Sequence, residues 1–85
     1  MPTYKTSLSR SARKEFDQLD RALQTRIIKK LKVLESDPRG ADAIKMSGND
    51  SWRVRVGDYR IIYDILDSQL IVMVIKIGHR REVYR

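Results

Sequence analysis

Residues 52–63 read Trp-Arg-Val-Arg-Val-Gly-Asp-Tyr-Arg-Ile-Ile-Tyr. The first five alternate apolar and charged residues, which is typical of a strand with one buried face. The Gly-Asp pair that follows suits a two-residue type II′ turn, because glycine comes first. Such a turn would place Arg55 directly opposite Arg60, with Arg53 on the same face of the sheet. The stretch therefore predicts an antiparallel hairpin that carries three guanidinium groups on one face.

Like charges placed opposite each other destabilise a sheet, so this face is suited to bind an anion. Arginine matches phosphate because its planar guanidinium offers a bidentate fork. An alternative stays open: the arginines could extend into water, or pair with Asp58, Asp64 or the acidic loop before the hairpin. The aromatic residues alternate with the arginines and are predicted to face the core instead of stacking on bases; they are Trp52, Tyr59 and Tyr63.

The rest of the chain predicts the order β-α-α-β-β-β. Ser9 and Asp20 suit the N-caps of two helices, and Pro38 would end the second helix near Ser36. The predicted elements are a strand over 3–8, helices starting at 10 and 21, a loop over 37–50 and strands over 52–56, 59–66 and 70–77. The last strand is nearly all apolar and is predicted to be central. We expect an α+β fold in one domain over 1–85, an antiparallel-rich four-stranded sheet with an αα-hairpin on one face.

The composition narrows the classes of partner and chemistry. The 85 residues include 18 Lys or Arg and 11 Asp or Glu, for a formal net charge of +7. A domain this basic typically binds a polyanion, although basic residues can also simply solvate helix faces. The absence of cysteine excludes a disulfide framework, a thiolate zinc site and a cysteine nucleophile. The first residues lack an apolar segment and no apolar run could span a bilayer, which favours a cytoplasmic protein without membrane contact.

Further candidate site residues follow the last predicted strand; they are His79, Arg80, Arg81 and Tyr84. Cleavage of RNA by its own 2′-hydroxyl needs a base, cations at the phosphate and an acid for the leaving oxygen. Arginine is too basic to transfer the proton, since its pKa exceeds ~12. The candidates are then Tyr84, His79 and, less favoured, an Asp or Glu. These residues could equally form an ordinary basic C-terminus. Neither a metal site nor another cofactor is expected, because no cluster has ligand spacing.

Three segments resemble the RelE/ParE toxin superfamily, and its RelE-like branch in particular. They are Ser-Ala-Arg-Lys-Glu-Phe-Asp-Gln-Leu-Asp at 11–20, the hairpin at 52–63 and Val-Ile-Lys-Ile-Gly-His-Arg-Arg-Glu-Val-Tyr at 74–84. The resemblance implies a sheet with two helices on one face, in agreement with the order above. It also implies the toxin of a type II toxin–antitoxin pair, which cleaves messenger RNA in the ribosomal A site without metal and leaves a cyclic or 3′-phosphate end.

The resemblance implies roles for individual residues. The implied catalytic residues are Arg53, Arg55, Arg60, Arg80 and Tyr84. The predicted RNA contacts are Lys14, Lys45, His79 and Arg81. Two departures from the family pattern matter. Ser47 stands where a basic loop residue is expected, so Lys45 could supply that contact. The hairpin has arginines where the family often has lysines, so no lysine is available there as the base. Tyr84, or a partly neutral His79, is then the better candidate for the base.

Two other functions are compatible with the same resemblance. A ParE-like toxin would inhibit gyrase by binding, without nuclease chemistry, and a non-catalytic module would bind RNA or the ribosome without cutting. The arginine set together with Tyr84 favours cleavage. The expected partners are an acidic antitoxin, held in a hetero-oligomer, and the ribosome with its messenger RNA.

Overall fold

The computed structural model describes residues 3–79, which form an α+β fold of the predicted class. In chain order the elements are β1 (Lys5–Leu8), α1 (Arg10–Asp17), α2 (Arg21–Ser36), β2 (Ile44–Lys45), β3 (Trp52–Val56), β4 (Tyr59–Leu66) and β5 (Ile71–His79). Neither helix in this part of the chain is long and apolar enough to cross a membrane.

Local signals in the sequence set both helix starts. The Ser9 hydroxyl accepts a hydrogen bond from the Ala12 amide at 3.1 Å, and the Asp20 carboxylate accepts one from the Leu23 amide at 2.8 Å. Each cap satisfies a backbone donor that has no partner inside its helix, which typically contributes ~1 kcal/mol. α2 ends two residues before Pro38. The predicted caps and the end of the second helix are confirmed.

The strands lie in the order β1-β5-β4-β3-β2, with β1 parallel to β5 and the other pairs antiparallel. β5 is interior, flanked by β1 and β4, as its apolar sequence predicts. It begins one residue later than predicted because Leu70 has a left-handed backbone (φ 54°) and completes the preceding turn. It also runs on to His79, past the predicted end at 77, because it keeps pairing with Tyr59 and Arg60.

The prediction of four strands was wrong by one, because the expected loop over 37–50 contains β2. Ile44 and Lys45 pair with Arg53 and Trp52 of β3. The Met46 amide donates to the Ser51 carbonyl at 2.9 Å and closes the connection between the two strands. Two residues are too few for an alternating pattern, so the sequence carries no signal for this strand. It forms because the edge of β3 offers backbone groups that need partners.

The helices cover one face of the sheet, and the core lies between them. Its fully or nearly fully buried members are Ala12, Ile27, Leu31, Leu34, Val54, Val56, Ile61, Tyr63, Val72, Val74 and Ile77. Burying an aliphatic side chain of this size contributes about 1.5–3 kcal/mol. Trp52 and Tyr59 are partly buried and pack against this core, and Tyr63 is completely buried. The predicted inward orientation of the aromatic residues is therefore confirmed.

Candidate anion-binding site

The hairpin of β3 and β4 has the predicted register. Arg55 lies opposite Arg60, and Arg53 lies opposite Ile62. Gly57 has a φ of 59°, as the first central residue of a type II′ turn requires. Since residues directly opposite each other share a face, the three arginines occupy the face of the sheet that the helices leave uncovered.

The three arginines line one shallow groove of about 170 Å³, together with Asp42, Ile44 and Val54. We call the set Arg53, Arg55 and Arg60 the arginine groove. Arg53 and Arg60 are partly buried, whereas Arg55 is exposed. The hairpin register thus brings three cationic side chains to one surface, where they could hold a phosphate by charge-assisted hydrogen bonds.

The backbone around the groove holds these side chains in place. The Arg55 Nε donates a hydrogen bond to the Gly57 carbonyl at 2.8 Å. Arg60 lies opposite Gly78 of β5. Since glycine has no side chain, the surface beside Arg60 stays low. Ile62 lies opposite Arg53 and is only 7% exposed, so its apolar side chain is covered by its neighbours on the open face. Arginines over a partly apolar surface are less hydrated, which strengthens their interaction with an anion.

Two of the nearby acids, Asp42 and Asp64, pair elsewhere, which bears on the alternative that acids neutralise the arginines. Asp64 accepts a hydrogen bond from the Ser51 hydroxyl at 2.6 Å. Asp42 pairs with the Lys30 ammonium at 2.9 Å. Arg55 forms no ion pair with a carboxylate of residues 3–79. Within the described residues, Arg55 is therefore not neutralised by a carboxylate.

Of the predicted residues at the end of the chain, the structure describes His79. It lies at the end of β5 opposite Tyr59, with its ring edge-on to the tyrosine ring at a centroid distance of 5.6 Å. Because residues directly opposite each other share a face, His79 lies on the same face as the core-packing Tyr59, whereas the neighbouring pair Arg60 and Gly78 lies on the open face with the arginine groove. Arg80, Arg81 and Tyr84 lie outside the described residues.

Two predicted RNA contacts lie away from the groove lining. Lys14 is exposed on α1. Lys45 is exposed on β2 and pairs with Asp50 at 3.9 Å. Its neighbour Ile44 lines the groove, but Lys45 does not. The fold therefore gathers the three strand arginines and leaves these two lysines on separate surfaces.

The chain matches a known family along nearly its whole length. Residues 7–84 match the model of a family described as the ParE toxin of the type II toxin–antitoxin system. The chain belongs to the ParE toxin family. A RelE-like toxin protein of Escherichia coli is 32% identical over 79 residues, which cover 91% of this chain and 83% of that protein. The predicted membership of the RelE/ParE superfamily is therefore confirmed.

Solved structures of toxins in this superfamily share the fold. The isolated Escherichia coli RelE toxin superposes with a TM-score of 0.81 at 29% identity, covering 95% of this chain and 90% of RelE. The toxin–antitoxin complex RelBE of the same organism gives a TM-score of 0.80 at 28% identity, with 89% and 95% covered. The RelE–RelB complex of Pyrococcus horikoshii gives 0.77 at 25%, with 92% and 96% covered. The likeness to RelE toxins thus extends over both chains.

Two further cationic residues were not predicted from the sequence. Lys76 lies on the open face of the sheet and Arg26 lies at the hairpin turn. Lys76 lies opposite Ile62, in the same row as Arg53, and pairs with Glu15 of α1 at 2.9 Å. The sequence signal that could have revealed Lys76 is its position as a lone lysine in an otherwise apolar strand. Arg26 of α2 packs against Gly57 at the hairpin turn. No local pattern could reveal this contact, because it depends on how α2 lies across the sheet.

A second arginine site lies at the other end of β4 and consists of Tyr4, Arg39 and Asp67, which we call the Asp67 cluster. The Arg39 guanidinium donates to both Asp67 oxygens, at 2.8 and 3.2 Å, and the Tyr4 hydroxyl donates to one at 2.6 Å. Hydrogen bonds from Arg39 and then Tyr4 lower the pKa of Asp67 to about 2. The Asp67 hydrogen bond also raises the pKa of Tyr4. The cluster ties the segment after α2 to the β4–β5 turn.

Proposed function

We propose that this chain is a ribosome-dependent, metal-independent endoribonuclease that cleaves messenger RNA in the A site. The arginine groove is the observation that carries the proposal. The likeness to RelE toxins supports it, because the family resemblance implies this activity. The three arginines of the groove would lie where negative charge develops on the phosphate in the transition state.

In the proposed reaction the 2′-hydroxyl oxygen attacks the adjacent phosphorus. The P–O5′ bond breaks, so the products are a 2′,3′-cyclic phosphate and a 5′-hydroxyl. A base takes the 2′-hydroxyl proton and an acid gives one to the leaving 5′-oxygen. No oxidant or other reactant is needed. Arg53, Arg55 and Arg60 would bind the non-bridging oxygens and stabilise the charge added in the transition state.

The last residue of β5 and the residues that follow it would complete the site. Arg80 would add a further guanidinium, and Tyr84 or His79 would transfer the proton. Nearby guanidiniums stabilise the deprotonated form of a tyrosine, because opposite charges attract. His79 and Arg81 would contact RNA near the cleaved bond, and Lys14 and Lys45, which lie on other surfaces, would contact more distant parts of the bound RNA.

An acidic antitoxin is the proposed protein partner, in a hetero-oligomer in the cytoplasm. The similar Escherichia coli and Pyrococcus horikoshii toxins were each solved in complex with RelB. A net charge of +7 favours a partner of opposite charge. Such a partner would also keep the toxin from RNA.

End mapping on purified ribosomes tests the proposal. Ribosomes programmed with a defined messenger are incubated with the wild type, Arg60→Gln or Arg21→Gln, and the 5′ ends are mapped. We expect cuts in the A-site codon with the wild type and Arg21→Gln, few with Arg60→Gln, and none without ribosomes. An uncut messenger, or equal cutting by Arg60→Gln, would overturn the proposal.

A second candidate function is gyrase inhibition, because the matched family carries the ParE description. A supercoiling assay with purified gyrase separates the two functions. Inhibition of gyrase with an intact messenger would support a ParE-like toxin, whereas cut messenger with unaffected gyrase would support the ribonuclease.

A further inference from the structure

A second pair of guanidiniums meets at the hairpin turn, beside the arginine groove. A Cβ added to Gly57 would lie 3.2 Å from Arg26 Nη1 and 3.3 Å from Nη2, so the guanidinium lies directly against this glycine. The Arg55 Nε donates to the carbonyl of the same glycine at 2.8 Å. Glycine is therefore favoured at position 57 by its φ of 59° and by the close approach of Arg26.

Both guanidiniums retain donors for an external ligand. Within residues 3–79, neither Arg26 nor Arg55 forms an ion pair with a carboxylate. They line an open cleft of about 550 Å³ together with Gly57, Asp42 and Asp58. Because the turn already orders these two side chains, less of their conformational entropy would be lost on binding a ligand.

We propose that Arg26, Arg55 and Gly57, which we call the turn subsite, bind a phosphate of the RNA adjacent to the one in the arginine groove. The inference rests on the proposed function, because it assumes that RNA occupies the arginine groove. Arg55 lines both clefts, so one chain of phosphates can pass from one to the other. Arg26 would therefore fix the position of the flanking nucleotide.

The lining of the cleft favours a nucleotide over an acidic peptide. Asp42 and Asp58 lie on its rim beside the two arginines. Carboxylates accept hydrogen bonds and repel other carboxylates. RNA offers donors as well as phosphates, through its ribose hydroxyls and base amino groups. The side chains of an acidic peptide would bring more carboxylates against Asp42 and Asp58, whereas each RNA phosphate lies next to a ribose hydroxyl that can donate to them, so the mixed lining favours RNA.

Binding of short RNAs of two lengths tests the turn subsite. The ligands are a dinucleoside monophosphate, which has one phosphate, and an RNA pentanucleotide, which has flanking phosphates. Wild type, Arg26→Gln, Arg26→Lys and Arg60→Gln are compared without ribosomes at several salt concentrations. Arg21→Gln is the matched control, since it removes an arginine of the same helix that lines neither cleft. Circular dichroism checks that each variant folds.

We expect Arg26→Gln to weaken pentanucleotide binding about three- to tenfold and to lower the slope of log affinity against log salt by ~0.7. Arg26→Lys keeps the charge but loses the fork, so it should retain part of the affinity. Arg21→Gln should weaken binding less than twofold. None of the three should change binding of the dinucleoside monophosphate.

The remaining outcomes separate this inference from the proposed function. If Arg60→Gln weakens RNA binding but Arg26→Gln behaves like Arg21→Gln, the turn subsite is wrong and the proposed function stands. If Arg60→Gln also leaves RNA binding unchanged, the turn subsite is wrong, and the proposed function is decided by the end mapping on ribosomes. If Arg26→Gln weakens binding of a penta-glutamate peptide but not of RNA, the subsite recognises protein carboxylates and the inference is overturned.

Discussion

β4 has an arginine site near each end, and the two sites differ in the source of their anion. In the Asp67 cluster the chain itself supplies a carboxylate 2.8 Å from Arg39. In the arginine groove, Arg55 lies opposite Arg60, and the neighbouring Asp42 and Asp64 pair with Lys30 and Ser51. Arg60 and Asp67 are seven positions apart along the chain, which corresponds to about 23 Å at ~3.3 Å per residue. Arg39 thus has its anion within the chain, whereas the anion that we propose for the arginine groove comes from outside it.

The two sites should therefore respond oppositely to mutation. An exposed ion pair stabilises a fold only modestly, because water screens it. Opposed like charges lower stability somewhat. Changes in the arginine groove should reduce activity and leave the fold intact. Changes around the Asp67 cluster should lower stability and leave activity unchanged.

The largest expected effect comes from Arg60→Gln. Loss of one preorganised donor to a transition-state oxyanion typically lowers the rate about 100- to 1,000-fold. Single-turnover cleavage of ribosome-bound messenger measures the rate, and thermal unfolding should show little change. Arg39→Gln is the matched control at the other end of β4 and should keep the rate within about twofold. Equal losses in the two variants would contradict the comparison.

The next effect concerns the residues that follow β5. We expect Tyr84→Phe, which removes one hydroxyl, to slow cleavage about 100-fold, because proton transfer contributes at least that much. Arg80→Ala should likewise relieve growth inhibition in cells while the protein stays folded. If His79→Gln abolishes cleavage and Tyr84→Phe does not, the histidine is the proton-transfer residue.

A stability effect without an activity effect is expected from Tyr63→Phe. The Tyr63 hydroxyl is buried and donates to the Pro38 carbonyl at 2.7 Å, and burial raises its pKa to about 12. Removing the donor leaves that carbonyl without this partner, which should lower the free energy of unfolding by about 1–1.5 kcal/mol. Urea denaturation measures the change. A marked loss of cleavage at unchanged stability would contradict the separation of the two sites.

The smallest expected effect is a pH dependence at the Asp67 cluster. The pKa of Asp67 is about 2 in the fold against an ordinary value of 3.8. A lowered pKa stabilises the fold above the ordinary value, and the contribution is lost as pH falls from about 4 toward 2. The melting temperature of the wild type should exceed that of Asp67→Asn at pH 6, and the difference should shrink on acidification. A difference that is constant from pH 6 to pH 2 would contradict this account.

Local sequence signals predicted much of the fold. Ser9 and Asp20 mark the helix starts because an N-cap acts within four residues. The hairpin register followed from the two-residue turn and the alternation of side chains. β2 was not predicted, because two residues are too few to show an alternating pattern. The start of β5 was displaced because the left-handed backbone of Leu70, unusual for a residue with a side chain, is not apparent in its sequence.

The arginine groove was predictable for the same reason as the hairpin, since pairing across one turn involves residues close in sequence. The partners of the neighbouring acids Asp42 and Asp64 were not predictable from the sequence. Asp42 meets Lys30 from α2, and Asp64 meets Ser51 from the connection before β3. These contacts join residues 12 and 13 positions apart and depend on how separate elements pack.

By itself the sequence determined the family, the helix starts and the hairpin with its three arginines on one face, because each depends on short-range periodicity or on a motif. Only the tertiary structure decided that Arg26 reaches Gly57, that Glu15 holds Lys76 and that Asp67 neutralises Arg39. The physical reason is that such contacts depend on the packing of helices against a sheet. That packing is set by the shape of the whole core and not by any one segment.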